Sequence, residues 1–231
     1  MAQKKLIRFA QIKTFPNVFE NPTNIKGTWN FIFKNNNPII LELGCGRGEY
    51  TIGLSQIYPD KNFIGIDIKG NRMYIGAKKA LEGNLNNVAF LRSQIEKLPE
   101  YFTQGEIEAI WITFPDPYLR VSKSKKRLTH PRFLRLYQQV LKQGGSLHLK
   151  TDSPEIFRFT NTVINLFNLT KITESDDVYL KTPLTPELEI KTHYENLDIA
   201  QSRKIYYLEF IIPAELSFAD EELKELLKNE S

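Results

Sequence analysis

The feature that most constrains this chain is a glycine-rich turn between an apolar strand and a helix. The run Leu41–Glu49 reads L-E-L-G-C-G-R-G-E and passes into a helical pattern. Its glycines, Gly44, Gly46 and Gly48, carry no Cβ atom, so they permit a positive φ and let a ligand approach the backbone closely. The spacing G-x-G-x-G matches neither the dinucleotide fingerprint G-x-G-x-x-G nor a P-loop, which would end in G-K-[ST]. Glu42, just before the glycines, would repel a pyrophosphate, so the turn predicts a cationic cofactor.

A second acidic residue lies at the end of the next predicted strand. The apolar segment Asn62–Ile68 carries Asp67, about 20 residues after the glycines, where doubly wound folds place a carboxylate that binds ribose hydroxyls. This order resembles motif I and its partner acid in S-adenosylmethionine-dependent methyltransferases. The resemblance implies S-adenosylmethionine as the cofactor, with Glu42 facing its ammonium group. The alternative is that Glu42 and Asp67 are ordinary acids at strand ends.

Composition and charge exclude several classes of protein. The chain has 231 residues, of which 41% are hydrophobic and 25% charged, and these values are typical of one large globular domain. Cys45 is the only cysteine, which excludes an intramolecular disulfide and a cysteine zinc site, and we expect no bound metal. No apolar run approaches the ~18 residues of a membrane span, and the basic N-terminus lacks the apolar run of a secretory signal. We therefore expect a cytoplasmic protein that does not associate with membranes.

Strand and helix patterns alternate after residue 38, which predicts βαβ units and an α/β fold with a mainly parallel sheet. The predicted strands are Ile39–Leu43, Phe63–Ile68, Val88–Arg92, Ala109–Phe114 and Ser146–Lys150. The predicted helices are Tyr50–Tyr58, Lys69–Glu82, Pro131–Lys142, Pro154–Phe167 and the amphipathic Ser217–Asn229, with a short turn near Glu96–Tyr101. An antiparallel hairpin of Leu169–Thr173 and Lys204–Ile212 would complete a seven-stranded sheet.

Two segments fall outside this alternation. Residues 1–37 are basic and aromatic without a clean period, and we interpret them as an N-terminal arm. Residues 174–203 are polar and contain prolines, and we interpret them as an insert on the substrate side of the sheet. The predicted organisation is therefore an arm, 1–37, followed by one methyltransferase domain, 38–231, that includes the insert.

Asp116 lies in a turn after the fourth predicted strand, within the sequence P-D-P-Y. In open α/β sheets, ligands bind at the carboxyl ends of the strands near the point where the strand order reverses. The fourth strand adjoins the first in this fold class, which puts Asp116 beside the glycine turn, and the flanking prolines restrict its backbone. We interpret Asp116 as a functional acid, although an aspartate between prolines is also typical of a simple turn.

A compact basic segment follows Asp116. Residues Arg120 to Arg135 include seven lysines and arginines and no acid, whereas the tail from Asp220 to Glu230 is mainly acidic. A basic segment on an otherwise balanced domain is typical of a site for a polyanion such as RNA. The alternative is an ordinary solvated loop.

Four motifs in chain order resemble one family, the bacterial tRNA (guanine-N7)-methyltransferases. Residues 114–128, F-P-D-P-Y-L-R-V-S-K-S-K-K-R-L, resemble its P-D-P-W-P-K-K-R-H-x-K-R-R-L signature. Residues 147–152, L-H-L-K-T-D, resemble its H-x-x-T-D motif, and residues 192–195, T-H-Y-E, its T-x-Y/F-E motif. R-F-A at 8–10 and K-T-F-P-N-V-F at 13–19 resemble its N-terminal arm. The resemblance covers nearly the whole chain.

The resemblance implies a class I, Rossmann-like fold with helices on both faces of the sheet, and methyl transfer from S-adenosylmethionine to N7 of guanine 46 in the tRNA variable loop. It implies tRNA as the partner, and we expect a monomer or homodimer with no obligate protein partner. The implied catalytic residue is Asp116. The implied cofactor-binding residues are Glu42, Gly44, Gly46, Gly48, Asp67, Gln94 and Asp116. The implied substrate-binding residues are Arg120, Asp152, Thr192, His193, Tyr194 and Glu195.

This sequence departs from the family pattern at several positions. Tyr118 stands where the family has tryptophan, Arg120 where it has lysine, and Gln94 where it commonly has an acid that meets the adenine amino group. An amide oxygen can still accept that hydrogen bond. Ser122 and Lys123 replace an Arg-His pair.

Phosphate contacts supply much of the affinity for nucleic acid, and the residues predicted to make them are Lys123, Lys125, Lys126 and Arg127. Unstacked RNA bases favour aromatic platforms, for which Phe9, Phe15, Tyr118 and Tyr194 are candidates, although each of these aromatic residues is also a candidate for core packing. Two other functions stay open at this point: a methyltransferase for a small molecule or a protein, and a non-catalytic RNA-binding module.

Overall fold

The computed structural model describes residues 2–180, 183–197 and 204–229, and within them the strands form one eight-stranded sheet. The strands in chain order are β1 (Val18–Glu20), β2 (Ile39–Leu43), β3 (Asn62–Asp67), β4 (Val88–Arg92), β5 (Ile107–Thr113), β6 (Leu141–Thr151), β7 (Thr170–Ser175) and β8 (Tyr206–Ile211). Their spatial order is β1-β4-β3-β2-β5-β6-β8-β7. Strands β1 to β6 run parallel, and β8 and β7 pair antiparallel at one edge.

Helices lie between these strands, before β1 and after β8. They are α1 (Ala2–Ile12), α2 (Trp29–Phe33), α3 (Glu49–Ile57), α4 (Gly70–Glu82), α5 (Leu98–Tyr101), α6 (Pro131–Tyr137), α7 (Pro154–Leu166), α8 (Pro186–Glu189), α9 (His193–Leu197) and α10 (Asp220–Asn229). The start of α7 follows the sequence signal, because Ser153 caps it by accepting a hydrogen bond from the Ile156 N–H at 3.2 Å and Pro154 occupies the first turn. None of the described helices is both long and apolar enough to cross a lipid bilayer.

The strand order positions the site. The chain passes from β2 outward to β3 and β4, then returns to place β5 on the other side of β2, so the order reverses between β2 and β5. Leu43 lies opposite Ile112 in this parallel pair, and the carboxyl ends of the two strands therefore open side by side. A crevice at such a reversal is where open α/β sheets bind ligands.

The seven-stranded sheet of the prediction is wrong by one strand. Val18–Glu20, within the N-terminal arm, adds a parallel edge strand to β4, with Val18 opposite Phe90. Three residues give too short a pattern to predict a strand. The arm also supplies part of the main core: Trp29 is fully buried, and its indole N–H donates to the Tyr101 carbonyl at 3.0 Å.

The helix predicted at Pro131–Lys142 ends earlier, at Tyr137, because β6 already begins at Leu141. Leu141 pairs with Ile107, and the register then shifts before the regular ladder from Ser146. Gly144 adopts φ +76° within this irregular stretch. Gly144 and Gly145 therefore lie inside a bulged strand.

The insert covers one face of the sheet. Its described part contains a short turn of helix at Val178–Leu180, then α8 and α9. Val178 is buried in a second hydrophobic cluster with Tyr50, Trp111 and Tyr207, and Leu188 and Ile190 pack against this cluster. Residues 181–182 and 198–203 lie outside the described residues.

Candidate active site

A cavity of about 740 Å³ opens at the carboxyl ends of the central strands. It gathers residues that lie far apart in the sequence. Those of its lining residues that the family resemblance implied for catalysis, cofactor binding or substrate binding are Glu42, Gly44, Gly46, Asp67, Gln94, Asp116, Asp152, Thr192 and Tyr194. Of the other predicted site residues, all within the described ranges, Gly48, Arg120, His193 and Glu195 do not line it.

The glycine turn forms one wall of the cavity. Gly44 and Gly46 have φ values of +72° and +54°, which glycine adopts without strain. A Cβ atom on Gly44 would meet no protein atom within 4 Å, and one on Gly46 would come no closer than 3.9 Å, to the Gly44 carbonyl oxygen. A side chain there would therefore fill space that a ligand needs, so the turn fits a bound cofactor. Gly48 differs, because a Cβ atom there would lie 2.5 Å from the Phe90 ring, so this glycine permits packing.

Asp67 fixes the turn from the neighbouring strand. One carboxylate oxygen accepts a hydrogen bond from the Gly46 N–H at 2.9 Å, and the other accepts from the Lys69 N–H at 2.7 Å. The sequence predicted only a ligand contact for this acid. The structure adds a second role, because the carboxylate holds the backbone of the turn while it lines the cavity.

Glu42 is buried at the base of the cavity. Its carboxylate accepts hydrogen bonds from the N–H and hydroxyl of Thr51 and, at 3.0 Å, from the hydroxyl of Thr113. Burial raises the pKa of Glu42 to about 7, against the opposing effect of these hydrogen bonds. A cationic ligand group beside it would stabilise the ionised form. Thr51 and Thr113 were missed in the sequence, where nothing distinguishes them from other threonines in a helix and a strand.

The loop that carries Asp116 has an unusual backbone. Phe114 and Tyr118, on either side of the P-D-P segment, adopt φ values of +49° and +43°. Bulky residues rarely occupy this region, and such strain persists only where the surroundings hold it in place. Asp116 itself is exposed at the cavity.

Arg127 supplies part of that restraint. Its guanidinium donates to the carbonyl oxygens of Pro117 and Tyr118, both at 3.1 Å, and lies 4.5 Å from the centre of the Phe159 ring. The residue is only 5% exposed. Its predicted role as a phosphate contact is therefore wrong, because the guanidinium is buried against the loop. Its place in a run of surface lysines gave no signal of this role.

The rest of the basic segment divides into two groups. Arg132 pairs with Glu96 at 3.1 Å, and Arg135 pairs with Asp220 at 2.5 Å, so these cations are matched by acids from elsewhere in the chain. Four others are exposed near the Asp116 loop: Arg120, Lys123, Lys125 and Lys126. The positively charged surface is thus smaller than the sequence suggested.

The T-H-Y-E segment forms the start of α9 by a reciprocal capping box. The Thr192 hydroxyl accepts from the Glu195 N–H at 3.1 Å, and the Glu195 carboxylate accepts from the Thr192 N–H at 3.4 Å. Tyr194 projects to the cavity, where the Arg72 guanidinium lies 5.4 Å from its ring centre. Glu195 also binds Lys150 and Tyr179, so its carboxylate points into the protein.

The four aromatic residues predicted as platforms for RNA bases fall into two groups, two that pack the arm and two that line the cavity. Phe15 stacks on Tyr74 with ring centres 5.3 Å apart, and Phe9 lies under the Arg92 guanidinium at 5.0 Å, so both pack the arm against the domain. Tyr118 and Tyr194 line the cavity. Of the four candidates, these two are therefore the ones that lie at the cavity.

Comparison with known proteins agrees with this arrangement. Residues 36–208 match a family described as putative methyltransferases. A tRNA (guanine-N(7)-)-methyltransferase of Porphyromonas gingivalis is 47% identical over 211 residues, which cover 86% of each chain. One of Bacteroides fragilis is 43% identical over 224 residues, covering 93% of this chain and 88% of the relative.

The chain belongs to the tRNA (guanine-N(7)-)-methyltransferase family. This membership confirms the predicted family and S-adenosylmethionine as the methyl donor. Among solved structures, the 16S rRNA methyltransferase KamB superposes with a TM-score of 0.60 over 80% of this chain and 92% of its own, at 16% identity. At that identity the likeness concerns the fold alone, and it confirms the predicted α/β methyltransferase architecture.

Proposed function

We propose that this protein transfers a methyl group from S-adenosylmethionine to N7 of guanine 46 in the variable loop of tRNA. The observation that carries the proposal is one cavity lined both by the glycine turn and by two aspartates, Asp116 and Asp152, in a chain of this family. A tRNA substrate also supports a cytoplasmic location. The oligomeric state, monomer or homodimer without an obligate partner, stays a prediction.

The cofactor half of the cavity lies between β2 and β4. Glu42 would bind the cofactor's ammonium group, Asp67 its ribose and Gln94 its adenine; all three residues line the cavity. The space beside Gly44 and Gly46, which carry no side chain, is where the cofactor would bind. When bound, S-adenosylmethionine supplies an electrophilic methyl group on a sulfonium.

The guanine half lies at the ends of β5 and β6. Guanine N7 has a lone pair and no proton, so its methylation needs alignment and no strong base, and positioning contributes most of the rate. Asp116 and Asp152 are carboxylates that can accept hydrogen bonds from guanine N1–H and its exocyclic amine. The methylated base is cationic, and Asp116 would stabilise the charge that develops on it.

The decisive experiment is a methyl-transfer assay with bulk tRNA and tritiated S-adenosylmethionine, followed by nucleoside analysis. We expect 7-methylguanosine and no other labelled nucleoside. Asp116→Ala should lower kcat more than about tenfold, or ~1.4 kcal/mol at the barrier, while the cofactor Kd measured by calorimetry stays within about threefold.

Asp60→Ala is the matched control, since Asp60 is an exposed aspartate in the turn after α3, at the opposite end of the sheet. It should leave kcat unchanged. A kcat for Asp116→Ala within about threefold of the parent, only ~0.7 kcal/mol, would show that Asp116 is a turn residue. Label found in protein or in a small molecule would point to the other methyltransferases, and no transfer at all to a binding module.

A further inference from the structure

A buried lysine holds the insert to the sheet. Lys150, the last residue but one of β6, is 0% exposed. Its ammonium donates to the carbonyl oxygens of Leu188 and Ile190, at 3.0 and 2.9 Å, and to the Glu195 carboxylate at 3.0 Å. An ammonium group has three N–H donors. Each of them therefore has an acceptor, and all three acceptors belong to the insert.

The Glu195 carboxylate, one of these acceptors, also has several hydrogen-bond partners. The Glu195 carboxylate receives Lys150, the Tyr179 hydroxyl and the Thr192 N–H. Burial lowers the pKa of Lys150, and the adjacent Glu195 opposes that effect. Removal of one partner of a buried pair leaves an uncompensated charge, which is far more costly than loss of a surface pair. The pair therefore ties the insert to β6 firmly.

Lys150 also contacts the loop that carries Asp116. Its carbonyl oxygen accepts a hydrogen bond from the Phe114 N–H at 2.8 Å, at the residue where the loop begins with a positive φ. Two residues after Lys150, Asp152 lines the cavity. Three parts of the site thus meet at this residue: the Asp116 loop, the end of β6 and the insert with Tyr194.

The insert depends on such an anchor. Its described helices, Val178–Leu180, α8 and α9, have three, four and five residues. Helices this short have almost no stability of their own and persist only through tertiary contacts. The position of Tyr194 over the cavity is therefore set by what holds the insert.

We propose that Lys150 is a positioning residue for methyl transfer, which fixes the insert, and with it Tyr194, opposite the Asp116 loop. The ammonium acts through main-chain carbonyls and Glu195 and does not itself reach the cavity lining. This assigns Glu195, which the family pattern placed among the substrate contacts, to the anchor. The kinetic part of the proposal rests on the proposed function, whereas the structural part does not.

The test compares Lys150→Met with Lys142→Met by hydrogen exchange, calorimetry and kinetics. Lys142 lies on the same strand, and its ammonium pairs with Glu108 in a more exposed position, so it controls for loss of a lysine from β6. In Lys150→Met, amides of residues 183–197 should exchange about tenfold or more faster than in the parent, while those of β2 to β4 keep their protection. Turnover at saturating tRNA should fall about tenfold or more, and the cofactor Kd should stay within about threefold. Lys142→Met should match the parent in all three.

Unchanged exchange in the insert would overturn the proposal, and so would a kcat equal to that of the parent. A cofactor Kd that weakens in step with kcat would also overturn it, because the effect would then be a general loss of structure. Should Lys150→Met not fold, Glu195→Gln keeps the two carbonyl bonds of Lys150 and should give the same pattern in weaker form. If the parent does not methylate tRNA, the proposed function fails, but exchange in the insert still decides the role of Lys150.

Discussion

At the residue scale, Glu42 shows that a residue of the candidate site can lower the stability of the folded protein. It is a buried carboxylate whose pKa is raised to about 7 from 4.5. Below pH 4.5 it is protonated in both the folded and the unfolded states. Between pH 4.5 and about 7 the folded protein keeps a proton that the unfolded chain has lost, so the stability of the fold decreases as the pH rises through this window.

Glu42→Gln should therefore stabilise the protein without ligand at pH 8, by an amount on the order of 3 kcal/mol. The amide can keep the hydrogen bonds, because its oxygen can accept from Thr51 while its NH₂ donates to the hydroxyl of Thr113. The gain should disappear near pH 4. Urea unfolding at pH 4, 6 and 8 measures it.

Glu82→Gln serves as the control, since Glu82 is exposed at the end of α4 and loses the same charge. Its effect should be small at every pH. If parent and Glu42→Gln show the same dependence of stability on pH, Glu42 is not the titrating group. If Glu42 binds the cofactor's ammonium group as proposed, the stabilised variant should also bind S-adenosylmethionine more weakly, since it lacks the carboxylate charge.

At the element scale, we predict that the exposed lysines of Val121–Lys126 guide RNA to the site. Lys123 and Lys125 are exposed on this segment, directly after the Asp116 loop. The double change Lys123→Ala/Lys125→Ala should weaken tRNA binding and reduce the slope of log K against log salt by up to about 2, because two phosphate contacts with their released counterions are lost. Filter binding from 50 to 200 mM salt, the range over which such contacts show most clearly, gives the slope.

The matched control for this change is Lys61→Ala/Lys142→Ala. Both of these lysines pair with Glu108, away from the cavity. The same net charge is removed there, so the slope should stay near that of the parent. An equal reduction in both double variants would mean that overall charge, and no local surface, governs RNA binding.

The same elements show what sequence could and could not predict. Strands β3 and β5 contain continuous apolar runs, residues 63–66 and 109–112, which are typical of buried parallel strands and which located both strands in the sequence. The position of the cavity could be predicted from the order of the strands. The carboxyl ends of neighbouring strands lie side by side where the strand order reverses, and ligands bind in the crevice there. Arg127 and Lys150 were missed as buried residues, since their partners are main-chain carbonyls whose positions depend on the tertiary fold.

At the scale of the whole molecule, the arm and the domain share one core. Trp29 on α2 is fully buried with residues of the central strands, whereas Phe31, two residues on, is 75% exposed. The predicted division at residue 37 separates these buried residues from the sheet they pack on. A chain with such a shared core should unfold in one cooperative step, including the insert on the other side of the sheet.

Trp29→Ala tests this cooperativity, because Trp111 is then the one tryptophan in the sequence and it lies in the second cluster, beneath the insert. Loss of the buried indole should lower the free energy of unfolding by about 3–5 kcal/mol. The midpoint in urea should fall equally by Trp111 fluorescence and by far-ultraviolet circular dichroism. Phe31→Ala, on the same helix but exposed, should change stability by no more than about 0.5 kcal/mol. If Trp111 unfolds at the parent midpoint while circular dichroism shows an earlier transition, residues 1–37 fold as a separate unit and the arm is dispensable for the site.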